Sequence, residues 1–148
     1  VSQSHDSFAP TITAIADSAV AKFTGVKFVA STDGYLHCVP ATTGVCHGIA
    51  QTDCASGQEV TVKTFAPGYM VLADGTAAIA VGNPIVITGA GATKATGTPL
   101  ADVDPDDPVG VSTTTYVAFD GIAIEALASG TGVIEFLPIS GVTAVTVG

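Results

Sequence analysis

The chain has 148 residues, 47% of them hydrophobic and only 11% charged, which favours one globular domain with a real core and excludes the charged, apolar-poor makeup of disorder. Its net charge of −9, with four Lys and no Arg, argues against binding nucleic acid or adhering to an anionic membrane surface. No run of about 18 apolar residues could span a bilayer, and the polar start Val1-Ser2-Gln3-Ser4-His5-Asp6 is unlike a signal peptide.

Residues 1–22 contain no Gly, unlike the rest. Pro10 restricts the backbone around it, so Ser7–Thr13 reads as part of an extended arm. Ile12, Ile15, Ala16 and Ala19 also fit a short helical face, and Asp17–Ala21 is the best place for a helical turn. From Phe23 onward, residues 23–148 form the expected body. Strands are expected at Val26–Val29, Tyr35–Val39, Val45–Ala50, Glu59–Phe65, Tyr69–Leu72, Ile79–Val81 and Ile85–Thr88. Residues 89–108 read as loop. Further strands are expected at Val109–Ser112, Tyr116–Glu125, Gly132–Pro138 and Val142–Val147. No segment carries a long 3.6-residue period with caps. The fold class is therefore all-β: a compact β-barrel or β-sandwich of about ten short strands with an extended N-terminal arm.

Chemistry-bearing groups are few. Cys38, Cys46 and Cys54 are an odd number, a poor disulfide framework that suits synthesis in a reducing cytoplasm. His37-Cys38 and Cys46-His47 match no common zinc spacing. A hairpin about Pro40–Gly44 would instead set Cys38 opposite Cys46 and His37 opposite His47. Gly89–Lys94 lacks the Gly-Lys-Ser/Thr of a phosphate loop and reads as a flexible turn. Asp102, Asp104, Asp106 and Asp107 form an acidic loop that departs from a calcium-binding pattern at Pro105 and Pro108. Ser56 and Ser129 lie in Ala-Ser-Gly turns, outside any nucleophile-elbow motif. No catalytic residue, metal or cofactor is expected, so the chain is not expected to be an enzyme.

One phrase occurs twice. Gly48-Ile49-Ala50, then Ala55-Ser56-Gly57 and Val60, matches Gly121-Ile122-Ala123, then Ala128-Ser129-Gly130 and Val133, without a gap. Each copy, 48–62 and 121–135, reads as a strand–turn–strand unit with Gly48, Gly57, Gly121 and Gly130 as structural turns. Both hairpins are expected in one core, with Ile49, Val60, Val62, Ile122 and Val133 buried.

This phrase, with Glu59-Val60-Thr61-Val62 and Ala80-Val81-Gly82-Asn83-Pro84-Ile85, resembles the small capsid cement, or head decoration, proteins of tailed bacteriophages over residues 23–140. A looser likeness is to the trimeric decoration protein of lambdoid phages. The resemblance implies a structural virion protein on the outer surface of the capsid. It would stabilise contacts between major capsid proteins as a homo-oligomer, most simply a trimer. Phe8, Pro10, Ile12 and Ile15 of the arm are then the expected capsid-binding residues. The alternatives are a receptor- or carbohydrate-binding β module and a tail or fibre subunit. Sugar stacking would need clustered aromatics, whereas Trp is absent and Tyr35, Tyr69 and Tyr116 are scattered.

Overall fold

A computed structural model describes residues 10–66, 71–95 and 113–147. Within them the chain is all-β, with ten strands and no helix. The first five are β1 (Thr11–Ala16), β2 (Gly25–Val29), β3 (His37–Pro40), β4 (Gly48–Ala50) and β5 (Glu59–Thr64). They close a barrel in the order β1-β3-β2-β4-β5. The next five are β6 (Val71–Gly75), β7 (Pro84–Thr88), β8 (Gly91–Lys94), β9 (Thr113–Ala123) and β10 (Gly132–Val147). They close a second barrel in the order β10-β6-β8-β7-β9.

The two barrels are the same object built twice. Matching β1 with β6, β2 with β7, and so on to β5 with β10 reproduces every pairing. β1 runs parallel to β3, as β6 does to β8. All other ladders are antiparallel in both. The equivalence extends to single hydrogen bonds. Val20 and Cys54 exchange both backbone bonds at 2.9 Å, and Ile79 and Leu127 do so at 2.8 Å. The Phe23 N–H donates to the Ala50 carbonyl as the Gly82 N–H donates to that of Ala123, both at 2.8 Å. Phe23 and Gly82 both have positive φ, 62° and 84°, and Phe23 is the only non-glycine residue in that region among the described residues.

The repeated phrase is thus the β4–turn–β5 hairpin and its copy in β9 and β10. The two hairpins lie in different barrels, which corrects the expectation that they share one core. Gly57 and Gly130 sit at φ 83° and 75°, where a side chain is disfavoured. Gly48 and Gly121 are not turns; they lie in strands. A Cβ on Gly48 would be 2.6 Å from Val62 Cγ1 and 2.5 Å from the Lys63 carbonyl oxygen. On Gly121 it would be 2.5 Å from Phe136 Cδ2 and 2.8 Å from the Leu137 oxygen. Each glycine makes room for the inward side chain of the neighbouring strand.

The first barrel is filled by small residues: Ala14, Ala16, Val20, Val26, Cys38, Ala50, Cys54, Val60 and Val62. The second is filled by larger ones, including Ile79, Ile85, Ile87, Ile134 and Phe136. The outer face of the first barrel adds Ile49 to this second core, with Cys46 and Phe65 packed against it. The Phe65 ring meets the Phe136 ring edge-on at 5.7 Å. The Asp74 N–H donates to the Phe23 carbonyl and the Gly89 N–H to that of Ala41, both at 2.8 Å. Gly89 lies so close to Pro40 that a side chain there would collide with it.

Other expectations need correcting. Thr11–Ala16 is extended, but it is a barrel strand paired with β5 and β3 and not an arm outside the body. No helical turn follows it; Val20 bridges to Cys54 instead. Gly91–Lys94 is a strand, because the turn ends at Ala90. Cys38 does not face Cys46: β3 pairs with β2, setting Phe28 opposite Cys38 and Val29 opposite His37. All three cysteines are free. Val133 is 45% exposed and Ile122 only half-buried, whereas Ile49, Val60 and Val62 are buried. The hairpin register explains Val133. Val60 pairs with Ala14, and the equivalent partner of Ala73 is Ile134. That one-residue slip turns Val133 outward and Ile134 and Phe136 inward. Tyr69, Met70 and the acidic loop lie outside the described residues.

Candidate docking surfaces

Because the barrels are equivalent, features found in only one of them are not needed to close the fold. The clearest in the first barrel is the β2–β3 connection. Residues 30–36 join β2 to β3, where Gly89-Ala90 suffices between β7 and β8.

His37 anchors this loop. Its Nδ1 lies 2.5 Å from Asp17 Oδ1 and its Nε2 2.8 Å from Asp33 Oδ2. A protonated imidazole donates from both nitrogens, so the ring bridges the end of β1 to the loop. Asp33 Oδ1 also accepts from the Tyr35 N–H at 3.0 Å. The Ser31 hydroxyl lies 3.0 Å from Asp33 Oδ1 and 2.5 Å from the Tyr35 carbonyl oxygen, sharing one proton between them.

The bonds to Asp17 and then to Asp33 raise the His37 pKa above its ordinary 6.5. The Tyr35 N–H, with His37 and Ser31, lowers that of Asp33 below 3.8. Since the folded His37 value is raised, its contribution is complete below about pH 6.5 and is lost as pH rises through the raised value. Asp33 contributes above about pH 3.8 and loses its contribution as pH falls through its lowered value. Asp17→Asn removes the larger cause, so the His37 midpoint is expected to fall, as read from its ring-proton NMR titration. An unmoved midpoint would refute the bridge.

The clamp presents Tyr35, 68% exposed, with Leu36 beside it. Together with Thr13, Ala14, Ile15 and Glu59 they line a groove of about 230 Å³ on the outer side of β1. The Ile15 N–H donates to the Leu36 carbonyl at 2.9 Å, tying the loop to the strand. Of the four expected capsid-binding residues, Ile15 therefore lines this groove. Ile12 is 42% exposed at the barrel end and Pro10 is exposed. Pro10 is held by its carbonyl, which accepts the Thr64 N–H at 2.9 Å. Phe8 lies outside the described residues. Tyr35 and Leu36 were not singled out from sequence; an aromatic and a leucine directly after the Asp33-Gly34 turn were the available signal.

Other titratable and nucleophilic groups among the described residues are held by burial or by backbone contacts. Burial pushes the Cys38 thiol up and that of Cys46 up to about 12, so both stay protonated near neutral pH. Burial also raises Asp120, whose Oδ2 accepts the Ile87 N–H at 2.8 Å. His47 Nδ1 accepts the Phe28 N–H at 2.9 Å and its ring stacks on Phe28. Ser56 donates to the Asp17 carbonyl at 2.8 Å. Among the described residues no three His, Cys, Asp or Glu side chains are grouped to hold a metal.

No protein-family model matches the chain. No curated protein matches it either. Among solved structures, the chain is similar to the N base of the head fiber protein gp8.5 of bacteriophage phi29. The TM-score is 0.57 at 19% identity, over 89% of this chain and 95% of that one. At that identity the likeness is one of fold.

Proposed function

We propose that this chain is a structural protein of a bacteriophage virion. It decorates the outer surface of the head and stabilises contacts between major capsid proteins, acting as a homo-oligomer, most simply a trimer. The observation that carries this is the fold shared with the phi29 head-fiber base across nearly the full length of both chains. The sequence resemblance to capsid cement proteins supports the same placement. The acidic balance suits an exterior away from packaged DNA. The chain is read as having no enzymatic role, with its surface as the working part.

A second reading, the base of a head fibre, is favoured by the same structural likeness. Purified protein mixed with expanded empty heads separates the two by sedimentation and head melting. A cement protein is expected to co-sediment at many copies per head and to raise the temperature at which heads disrupt. A fibre base binds without that rise. Failure to co-sediment at any concentration would refute both.

A further inference from the structure

The second barrel carries an addition that the first lacks. Within the barrel, Ala123, Ile122 and Gly121 face Phe136, Leu137 and Pro138. The register then shifts between Pro138 and Gly141. Beyond this bulge the same two strands continue, from Phe119 opposite Gly141 to Thr113 opposite Val147. In the first barrel the matching strands stop at Gly48 and Thr64. The extension is therefore a two-stranded ribbon that barrel closure does not require.

The ribbon has open edges. β7 reaches β9 only at Gly121 and Ile122, and β6 reaches β10 only from Gly132 to Phe136. Among the described residues no strand pairs with the outer edge of 113–119 or of 141–147. A lone ribbon is marginal in water. Its unpaired N–H and C=O groups form a template for another strand. Proteins usually blunt such edges with Lys, with Pro or with inward charges. Here 113–119 reads Thr-Thr-Thr-Tyr-Val-Ala-Phe and 139–147 reads Ile-Ser-Gly-Val-Thr-Ala-Val-Thr-Val, with no charged residue and no Pro. Val142 is 65% exposed and Ile139 46%.

Charge selects the occupant. Copies of a chain with net charge −9 repel, so they must meet where charge is absent. This ribbon is such a place, and a neutral Thr- and Val-rich edge is complementary to itself. We propose that the ribbon of one copy pairs edge to edge with the ribbon of a second copy, forming a continuous intermolecular sheet. The inference rests on the homo-oligomer of the functional reading and names the element that makes it.

The test is sedimentation equilibrium of the full chain over a range of concentration and salt, beside Val142→Glu. The wild type is expected to self-associate, more strongly as salt screens the repulsion between copies. Val142→Glu places like charges at the contact and is expected to weaken association about tenfold or more at unchanged melting temperature. Hydrogen exchange of the wild type decides the matter even if the variant folds poorly: amides of 113–119 and 141–147 should gain protection as concentration rises. A wild type that stays monomeric, a folded variant that assembles normally, or protection that appears only when heads are added would each overturn the proposal. The last outcome would assign the edge to the capsid shell. Assembly without head binding would sink the functional reading and leave the ribbon contact standing.

Discussion

Phe136→Ala is expected to destabilise the protein by about 3–5 kcal/mol, the usual cost of emptying a buried aromatic site. Phe136 is the largest fully buried side chain in the described core. Its surroundings cannot collapse easily: Gly121 already lies against one face, and Phe65 meets the ring edge-on. The loss should not be confined to the second barrel. Ile49 belongs to the same cluster, and Phe65 follows directly on β5, so the cavity opens at the joint. A single denaturant transition is expected, its midpoint lowered and its slope unchanged. A cost below about 1 kcal/mol would show that the joint relaxes to fill the hole, against the packing described. Two separate transitions would show that the barrels fold independently.

Deleting residues 1–16 is expected to unfold the first barrel. β1 pairs with β5 from Thr11 opposite Lys63 to Ile15 opposite Glu59, and it runs beside β3 at Ile15 and Ala16. Without it the barrel opens into a four-stranded sheet with two new edges. Val60 and Val62 lose their cover, at about 1.5–3 kcal/mol each. Against a typical total of about 5–15 kcal/mol, this leaves little. Circular dichroism and melting of the truncated chain provide the check. An unchanged melting temperature would mean that these residues are a dispensable tail after all.

Thr11–Ala16 was legible as extended because Pro10 and the β-branched residues favour it. Its membership of a barrel was not, because the partners that cover it, Glu59–Lys63, lie far along the chain. The duplicated hairpin was legible because its glycines occupy positions where packing or φ admits nothing larger. The duplication of the whole barrel was hidden by unequal connections, such as residues 30–36 against Gly89-Ala90, which break the frame of comparison. Conserved hydrogen bonds then fall on unlike residues: Phe23 answers to Gly82, and Cys54 to Leu127. Val133 shows the limit from the other side. A sequence match without a gap concealed a one-residue slip, and period-two alternation turned that slip into a reversal of faces. Of the residues that line the groove, the sequence reading singles out only Ile15. The clamp that joins Tyr35 and Leu36 to Ile15 depends on Asp17, which lies 20 residues from His37 in the chain.

The order in which the two barrels become possible follows from their strand order. The first can close as soon as Thr64 has been made, since its closing ladder needs nothing later than Lys63 and Thr11. At about 5–20 residues per second, the remainder up to Val147 emerges over roughly 4–17 s. During that interval Ile49, Cys46 and Phe65 have no second core to pack against. The second barrel closes by pairing Gly75 with Gly132 across a long stretch of chain, the kind of distant contact that slows folding. It does not start from nothing, however. The Phe23 carbonyl is already fixed where the Asp74 N–H will dock, so the earlier barrel serves as the template on which its own duplicate is assembled.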